Sequence, residues 1–300
     1  MYHKSVMLHE AVEGLAIRSG GRYADLTFGG GGHSAEILKQ IGPDGTLIAF
    51  DQDEDALNNR LDDDRFLLVQ ANFRFAKNFL KLYKRLPLDG MLADLGVSSY
   101  QIDEASRGFS TRFDAPLDMR MNQASNLTAA QIINQYPKEN LRRVFRQFGE
   151  ITNAHVLAAR ICQIRHHDLI NTTGKLIEVL KTLTPPNRIN KYAAQVFQAL
   201  RIEVNEEMTA LKDVLAQSVS LLKPGGRLVV ISYHSLEDRL VKNFLRSGND
   251  EGKVEKDFFG NIQAPFRPVN RKPIVPSALE IKENPRSRSA KLRIAERLEV

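Results

Sequence analysis

The sequence is poor in cysteine and has no long apolar run. Its 300 residues include one cysteine, Cys162, and no tryptophan. A single cysteine excludes a disulfide within the chain and a cysteine-ligated metal site, and it favours a reducing compartment. The longest apolar runs have the length of a β-strand, far below the ~20 residues that cross a bilayer. The charged residues of Met1 to Glu13 leave no apolar stretch for a signal peptide, so we expect a cytoplasmic protein without a membrane segment.

The charge is distributed unevenly along the chain. Hydrophobic residues make up 42% and charged residues 26%, which is typical of a globular protein and excludes a disordered or collagen-like one. Residues 1–106 contain 11 Lys and Arg against 16 Asp and Glu, residues 107–205 contain 14 against 7, and residues 206–300 contain 17 against 13. The basic middle segment, with a net charge of +7, suits a surface that binds a polyanion. Solvated helix faces explain the charge equally well.

The first hundred residues alternate between strand-like and helix-like patterns. Short apolar runs predict strands at Tyr23 to Phe28, Thr46 to Phe50, Phe66 to Val69 and Leu88 to Leu95. Helical spacing between them predicts helices at residues 33–41, 53–61 and 73–86. Strands that alternate with helices imply right-handed βαβ crossovers, so we predict an α/β fold with a doubly wound, mostly parallel sheet.

The middle of the chain has helical patterns alone. They cover residues 128–135, 138–147, 153–166 and 173–183, with Asn126 and Thr172 as candidate N-caps. No strand pattern competes there, so the predicted sheet is interrupted by an all-helical domain.

Alternation resumes in the last third. A long helix is predicted over residues 192–222, a strand over 227–232 and a helix over 236–245, followed by a long loop over 248–276. Leu292 and Ile294 alternate with Arg, which favours an edge strand over a helix for residues 290–298. The predicted organisation is a sheet domain formed by residues 1–106 and 206–300, with residues 107–205 as the helical insertion.

Four consecutive glycines follow the first predicted strand. They lie in the segment Asp25-Leu-Thr-Phe-Gly29-Gly30-Gly31-Gly32-His33, between a strand and a helix. Glycines let a backbone approach a ligand closely, and N–H groups at a helix N-terminus face that ligand; a plain flexible loop is the alternative. Asp51 lies 19 residues beyond the last glycine, where a doubly wound nucleotide-binding sheet places a carboxylate on a ribose diol. The pattern predicts a nucleoside cofactor.

The glycine motif fits neither a dinucleotide nor a nucleoside triphosphate. The last glycine of G-x-G-x-x-G would fall on Ser34, and no G-x-x-x-x-G-K-[ST] loop is present. Both absences argue against NAD and ATP. The acidic Asp25 ahead of the glycines suits a ligand with a cationic group better than one with a pyrophosphate.

Polar residues also follow the fourth and fifth predicted strands. They can contact a cofactor or position a base at the carboxyl edge of the sheet. A capped strand end is the alternative for the first group, and a lone histidine is more often structural. These candidates are Asp94, Ser98, Ser99 and Gln101 after the fourth strand, and His234 and Ser235 after the fifth.

Other candidate sites are weaker. His166 and His167 lack an acidic partner at metal-ligand spacing, so no metal site is expected. The chain has no G-x-S-x-G elbow, and Cys162 lies on an Ala/Ile helix face that suggests packing. Two basic clusters can bind phosphates or form solvated faces. They are Arg142, Arg143 and Arg146 in the middle segment, and Arg286, Arg288, Lys291 and Arg293 near the C-terminus.

These segments together resemble one family. Their order along the chain is similar to that of bacterial methyltransferases that modify the exocyclic N4 amine of one cytidine in the decoding region of small-subunit ribosomal RNA. The resemblance runs from His9-Glu-Ala-Val12 to the last ten residues and covers essentially the whole chain. The segments that carry it are Thr27-Phe-Gly-Gly-Gly-Gly-His33-Ser, Asp94-Leu-Gly-Val-Ser-Ser99, Arg107-Gly-Phe-Ser110, Pro116-Leu-Asp-Met-Arg-Met121, Phe197-Gln-Ala-Leu-Arg-Ile202, Ser232-Tyr-His-Ser-Leu-Glu-Asp-Arg239, Glu283-Asn-Pro-Arg-Ser-Arg-Ser289 and Leu292-Arg-Ile-Ala-Glu-Arg297.

The resemblance implies an S-adenosylmethionine-dependent enzyme with a Rossmann-like class I methyltransferase sheet and an inserted helical domain. It implies that Gly31, Gly32 and His33 hold the methionine end of the cofactor and that Asp51 binds the ribose hydroxyls. Phe73 would lie beside the adenine, and Asp94 and Gln101 would complete the pocket. The residues expected to act on the target base are Asp94, Ser98, Ser99, His234 and Ser235.

The implied partner is 16S ribosomal RNA in an assembled or nearly assembled small subunit, with the enzyme as a monomer or homodimer. The basic middle segment and C-terminus would then bind RNA. Two alternatives remain: a cofactor-binding ribosome-assembly factor, and an amino-methyltransferase that acts on adenine, DNA or protein. A dehydrogenase rests on fold analogy alone, and the missing dinucleotide motif argues against it.

Overall fold

The computed structural model describes residues 5–260 and 263–299. The chain divides into two compact units: a sheet unit, Met1–Gly96 with Met208–Val300, and a helical unit, Val97–Glu207. The helical unit thus begins ten residues before the predicted insertion and ends two residues after it. With these bounds it contains 14 Lys and Arg against 11 Asp and Glu, and the sheet unit contains 28 against 25. The net charge is therefore +3 in each unit, and the excess of +7 belongs to the shorter range 107–205.

A seven-stranded sheet forms the centre of the sheet unit. Its spatial order is β3-β2-β1-β4-β5-β7-β6, with β1 to β5 parallel and β7 antiparallel to both neighbours. This order confirms the predicted doubly wound, mostly parallel sheet. The strands are β1 Arg22–Asp25, β2 Thr46–Asp51, β3 Phe66–Gln70, β4 Leu88–Asp94, β5 Leu222–Ser232, β6 Phe266–Pro268 and β7 Lys291–Arg297.

Two predictions for the C-terminal part of the sheet are wrong. The strand predicted at an edge is β7, and it is an inner strand that pairs with β5 on one side and β6 on the other. Alternation of apolar and polar residues reports which face of the sheet each side chain lies on, and it does not report how many strands lie beside it. The pattern therefore could not distinguish an edge strand from an inner strand. The loop predicted over residues 248–276 contains β6, which has three residues and ends at Pro268. A strand that short has no measurable period.

Helices cover both faces of the sheet and build the helical unit. Among residues 5–260 and 263–299, no helix combines the length and the apolar character needed to span a bilayer. The helices are α1 Leu8–Gly14, α2 Gly32–Gln40, α3 Ala76–Leu82, α4 Ser99–Asp103, α5 Ala129–Gln135, α6 Lys138–Gly149, α7 Ala154–Arg165, α8 Thr173–Lys181, α9 Ile189–Val204, α10 Glu207–Leu221, α11 Ser235–Ser247 and α12 Ala278–Glu283.

Several predicted helices are shorter or divided. The segment predicted over 53–61 is the 3-10 turn Glu54–Asn59, and the one over 73–86 is the 3-10 turn Phe73–Phe75 followed by α3. The long helix predicted over 192–222 is α9 and α10, because Glu206 between them has a φ of +50° that no α-helix accommodates.

The strands are buried on both sides, which explains their continuous apolar runs. Consecutive residues enter opposite cores: Met91 and Val230 pack in one, and Leu92 and Val229 pack in the other. All four are at most 1% exposed. The sheet is thereby held rigidly between two layers, and its strand ends are fixed in position.

The helical unit has its own core. Gln198 of α9 donates from Nε2 to the carbonyl of Phe148 in α6, which holds these two helices together at 2.9 Å. Thr172 caps α8 as predicted, whereas α5 is capped by Thr128 and not by Asn126. Cys162 is partly buried against this core, in agreement with the predicted packing role.

Candidate active site at the carboxyl edge of the sheet

The carboxyl ends of four adjacent parallel strands bring together the residues predicted from sequence. β1 ends at Asp25, β2 at Asp51 and β4 at Asp94, and Tyr233 follows β5 directly. Ligand sites in open α/β sheets lie at this edge, where the strand order reverses. The order places that reversal between β1 and β4.

The glycine turn connects β1 to α2. Gly29 and Gly31 have φ values of +52° and +77°, which side chains other than glycine rarely adopt. A Cβ at Gly31 would lie 2.9 Å from the ring of Phe28, whereas a Cβ at Gly29 or Gly30 would meet no atom within 4 Å. The first half of the turn is therefore open on its outer side, and the second half packs closely.

Asp51 is joined to this turn by hydrogen bonds. Its Oδ2 accepts the backbone N–H of Gly29 at 2.8 Å, and its Oδ1 accepts that of Asp53 at 2.9 Å. Burial raises the pKa of Asp51 to about 6, although both hydrogen bonds oppose the rise. The carboxylate lies beside the open part of the turn, where it can accept hydroxyl donors from a ligand.

Asp25 supports the turn from beneath. It is fully buried, accepts the hydroxyl of Ser34 at 2.7 Å and accepts the backbone N–H of Thr27 at 3.1 Å. Burial raises its pKa, and His33, Ser34 and Thr27 counteract this only in part. Asp25 therefore fixes the shape of the loop through the hydrogen bonds that it accepts.

Asp94 has a different partner on each side. Its backbone N–H donates to the Thr27 hydroxyl at 2.7 Å, and its Oδ1 accepts the hydroxyl of Tyr233 at 2.7 Å. Its Oδ2 lies 3.9 Å from Nδ1 of His33. Burial raises the pKa of Asp94 to about 6, and His33 and Tyr233 oppose that rise. The side chain keeps 21% of its surface exposed, so a ligand can still reach the carboxylate.

The tautomer of the neutral His33 ring follows from the partner of its Nε2. Nε2 lies 3.1 Å from the backbone carbonyl of Val6, and a carbonyl oxygen only accepts hydrogen bonds. Nε2 therefore carries the proton in the neutral ring. Nδ1, the other ring nitrogen, faces Asp94.

His234 caps α11. Its Nδ1 accepts the backbone N–H of Glu237 at 3.3 Å, and Glu237 accepts the backbone N–H of His234 at 3.3 Å in return. Nε2 lies 3.1 Å from the Glu237 carboxylate. Both nitrogens face Glu237, so the histidine holds the turn after β5, and its predicted role at the target base remains a prediction. Ser235 is exposed at the first position of α11.

Phe73 opens the turn after β3. It is partly buried and packs against the sheet core. The neighbouring Asn72 donates from Nδ2 to Oε1 of Gln52 at 2.9 Å, which links the turns that follow β2 and β3. Asn72 and Gln52 were not predicted from the sequence, because neither forms a recognisable motif.

Ser98, Ser99 and Gln101 belong to the helical unit. Ser98 accepts the backbone N–H of Gln101 at 3.2 Å and donates its own N–H to Oε1 of Gln101 at 3.0 Å. This capping box starts α4, whose second residue after the cap, Tyr100, is exposed. The structure accounts for Ser98 and Gln101 as a helix cap, and their predicted contacts with cofactor or base remain predictions.

Tyr233 is the residue that sequence reasoning missed. It lies inside a segment used for the resemblance, yet no role was predicted for it. The available signal was its position directly after β5, at the same edge as Asp94. Its contact with Asp94 joins residues 139 positions apart, which no local pattern reveals.

The charge of the site is not balanced by basic side chains. In the part of the chain that the structure describes, Asp25, Asp51 and Asp94 have no ion pair with Lys or Arg. Their raised pKa values show that each is costly to ionise in the protein alone. A ligand that brings positive charge and hydroxyl groups relieves that cost. S-adenosylmethionine fits, since it carries a sulfonium, an ammonium group and a ribose diol.

Comparisons with known proteins agree with this assignment. Residues 1–298 match the model of the MraW methylase family. A protein of Flavobacterium johnsoniae named ribosomal RNA small subunit methyltransferase H is 57% identical over 297 residues, which cover 99% of this chain and 98% of that protein. One of the same name from Bacteroides thetaiotaomicron is 55% identical over 296 residues, or 99% of this chain and 97% of that protein. A solved rRNA methylase from Streptococcus thermophilus is 12% identical with a TM-score of 0.44 and covers 100% of this chain and 99% of its own, which is too distant to support an argument.

Proposed function

Because the chain belongs to the MraW methylase family, we propose that it methylates the exocyclic N4 amine of a cytidine in the decoding region of 16S ribosomal RNA, with S-adenosylmethionine as the methyl donor. The observation that carries this proposal is the set of carboxylates, Asp25, Asp51 and Asp94, left without a basic partner beside an open glycine turn. A phosphate-rich cofactor would meet repulsion there, and a sulfonium is attracted.

The chain offers groups for each part of the cofactor. The methionine end would be held by Gly31, Gly32 and His33; the two glycines contribute through their backbone, since their Cβ positions are filled by Phe28 and Ser5. The ribose hydroxyls would bind Asp51. Phe73 would contact the adenine, and Asp94 and Gln101 would complete the pocket. The bound cofactor supplies an electrophilic methyl group.

Asp94 is the central group for the methyl-transfer step. The amine lone pair of cytosine is delocalised into the ring, so an acceptor that holds the amine hydrogens favours the nucleophilic form. Oδ1 of Asp94 already accepts Tyr233, which leaves Oδ2 as the main acceptor. The amine must also lie ~3 to 3.5 Å from the methyl carbon and in line with the departing sulfur. Ser98, Ser99 and Ser235 would position the base, and His234 would hold the turn that carries Ser235.

A cytidine inside a folded RNA must leave its stack to reach this edge. Exposed cations without an ion-pair partner among the described residues of the helical unit are candidates to bind the surrounding phosphates. Arg142 and Arg143 pair with Glu139 and Glu203, so only Arg146 of that predicted cluster is unpaired. The candidates are Arg112, Lys138, Arg146, Arg188 and Lys191.

The C-terminal basic cluster is partly engaged within the protein. Lys291 and Arg293 contact Asp238 at 3.1 and 2.7 Å, which ties β7 to α11. Arg288 is exposed and remains a candidate for phosphate contact. The proposed substrate is an assembled or nearly assembled small subunit in the cytoplasm, because a short RNA offers little shape for a helical unit to recognise. The enzyme would act as a monomer or homodimer.

The decisive experiment supplies radiolabelled S-adenosylmethionine and the purified protein to small ribosomal subunits from cells that lack this gene. Nuclease digestion then identifies the methylated nucleoside. Label in N4-methylated cytidine supports the proposal. Label in another nucleoside keeps the enzyme class and overturns the acceptor.

A cofactor-binding assembly factor is the second candidate. Absence of label together with tight cofactor binding by calorimetry would favour it, provided that precursor subunits also remain unlabelled. Naked 16S RNA, tested in parallel with whole subunits, shows which form of the substrate is recognised.

A further inference from the structure

We infer that Tyr233 is a positioning residue that fixes the Asp94 carboxylate in one orientation and keeps it ionised for methyl transfer. The inference rests on the proposed function and names a further residue for it. Tyr233 follows β5, and Asp94 ends the neighbouring parallel strand β4, opposite Ile231. The tyrosine hydroxyl donates to Oδ1 of Asp94 at 2.7 Å, the usual length of an O–H···O hydrogen bond.

The tyrosine is itself held in place. Its backbone N–H donates to Oε2 of Glu237 at 2.9 Å. Its ring lies over Gly96, where a Cβ would be 3.5 Å from Cδ2 of Tyr233 and where the φ of +99° favours glycine. The hydroxyl is therefore presented from a fixed backbone and a packed ring. A donor held in this way orients its acceptor without a further loss of side-chain freedom.

This contact makes the two oxygens of Asp94 unequal. Oδ1 is occupied by Tyr233, and Oδ2 faces Nδ1 of His33 at 3.9 Å. In methyl transfer the amine nitrogen forms a bond to the methyl carbon, the carbon–sulfur bond breaks with its electron pair going to sulfur, and the nitrogen loses one proton. Oδ2 can accept that proton only while Asp94 is ionised, and the proton then passes to solvent.

The surroundings make ionisation of Asp94 difficult. Burial raises its pKa to about 6, and the negative charges of Asp25 and Glu237 add to the rise. His33 and the hydroxyl of Tyr233 are the groups that lower it. Burial raises the pKa of Tyr233 well above its ordinary value, and the carboxylates of Asp94, Glu237 and Glu280 add to the rise, so the hydroxyl stays a donor throughout the working range. Removal of this hydroxyl therefore shifts Asp94 towards its neutral form at neutral pH.

Tyr233→Phe tests the inference in the full-length protein. A hydrogen bond to a charged group is worth enough to shift a pKa by about one unit. The acid limb of kcat/KM is expected to move up by about one pH unit, which is about a threefold loss at pH 6.5. At pH 8.5 Asp94 is ionised in both proteins, so only the loss of its fixed orientation remains and the decrease in kcat/KM should be smaller than at pH 6.5. A purely structural role would instead lower activity equally at both pH values, and that result contradicts the inference.

Tyr192→Phe is the matched control. Tyr192 is a buried tyrosine of the helical unit whose hydroxyl donates to Oδ1 of Asn153 at 3.0 Å. Its loss removes a comparable hydrogen bond far along the chain from Asp94. The pH profile of this variant should keep the acid limb of the unmodified enzyme.

Carbon-13 NMR of the Asp94 carboxyl group gives a reading that needs no RNA. Asp94→Asn assigns the signal. The pKa of Asp94 should rise by about one unit in Tyr233→Phe and remain unchanged in Tyr192→Phe. An unchanged value overturns the inference even in an active methyltransferase. A raised value in a protein that methylates no RNA overturns the proposed function and leaves the Tyr233–Asp94 coupling established.

The reciprocal variant covers the case in which Tyr233→Phe does not fold. Coupling between two titrating groups is mutual, so removal of the Asp94 charge must lower the pKa of Tyr233. NMR titration of ring-labelled tyrosine in Asp94→Asn should show this fall, with Tyr192 as the internal reference. A Tyr233 pKa that stays where it is in the unmodified protein contradicts the inference.

Discussion

Two acids at strand ends of the sheet unit and two acids of the helical unit have pKa values shifted in opposite directions. In the sheet unit the pKa values of Asp51 and Asp94 are raised to about 6, and burial is the main cause of both shifts. In the helical unit the pKa of Asp114 is lowered, chiefly by a hydrogen bond from Thr172. Burial pushes the pKa of Asp118 upwards, yet the hydrogen bonds from Arg120 outweigh it and leave the value lowered.

The opposite directions of these pKa shifts show which carboxylates lower the stability of the folded protein when they are ionised. Asp118 has an arginine at 2.7 Å and is stabilised in its charged form. Asp51 and Asp94 have only neutral donors or a histidine, so their charge is maintained at a cost to the folded protein. Buried carboxylates that lack a basic partner are typical of a site that binds a cationic ligand.

The largest effect is expected from Asp94→Asn. The amide keeps the size of the side chain but removes the charge and half of the acceptor capacity, so kcat should fall by on the order of 10²-fold to 10³-fold. Asp168→Asn, which changes an exposed acid paired with Lys175 in the helical unit, should leave kcat unchanged. Single-turnover methylation of small subunits measures both variants. Equal losses in the two would erase the contrast between the units.

The pH-dependent contribution to stability should differ in sign between the strand-end pair Asp51 and Asp94 and the helical-unit pair Asp114 and Asp118. An acid with a raised pKa binds its proton more tightly when folded, so Asp51 and Asp94 make the sheet unit less stable as pH rises from about 4 to about 6. Each contributes about 3 kcal/mol at most, since a shift of one unit equals about 1.4 kcal/mol. Asp114 and Asp118 have lowered values, so their contribution is gained as pH rises towards 4 and stays constant above it.

Hydrogen exchange read by mass spectrometry separates the two units between pH 4.5 and 6.5. Protection should decrease in β1 and β4 and remain level in α7 and α8, after correction for the intrinsic rate. In Asp51→Asn combined with Asp94→Asn, the decrease in the strands should disappear. A parallel decrease in both units would assign the effect to the whole chain.

Gly31→Ala sharpens the comparison within the sheet unit. Alanine at a φ of +77° costs about 1 to 2 kcal/mol, and its Cβ would meet the Phe28 ring at 2.9 Å. Cofactor affinity should fall about tenfold or more by calorimetry, because the turn must shift. Gly225→Ala has the same φ within a degree but open space around it, so it should lose stability and retain cofactor affinity. Equal affinity losses would point to general destabilisation.

The smallest effect is expected from Thr128→Ala in the helical unit. Thr128 caps α5 through the backbone N–H of Gln131, and its loss should cost about 1 kcal/mol. Hydrogen exchange should accelerate in α5 while β1 and β4 keep their protection. A kcat within twofold of the unmodified enzyme is expected. A large loss of turnover would give the helical unit a chemical role.

The sequence predicted the parallel part of the fold well for a physical reason. β1 to β5 are buried on both faces, and each leaves a continuous apolar run that a short window detects. β6 is too short to leave a pattern, and the inner position of β7 depends on pairing with residues 231 and 267, far away in sequence. The division of the long helix at Glu206 depends on the positive φ of that residue, which the amino-acid sequence does not predict.

The site was predictable as a set of positions and not as a set of contacts. Asp51 and Asp94 stand out because each ends a strand, and strand ends share an edge. The contact of Asp94 with Tyr233 required the structure, since it joins two strands through a long separation in the chain. The capping role of His234 also required the structure, because the sequence does not show whether a histidine side chain caps a helix or transfers protons.

The long connection between β4 and β5 also bears on how the site is assembled. These neighbouring strands are separated by the entire helical unit, so their pairing carries a large loop-closure entropy and a high contact order. The helical unit, which separates the two strands in sequence, has a core of its own. The pair Asp94 and Tyr233 comes together only when that pairing is complete. Any step of the reaction that depends on the Asp94–Tyr233 contact therefore requires the pairing of β4 with β5.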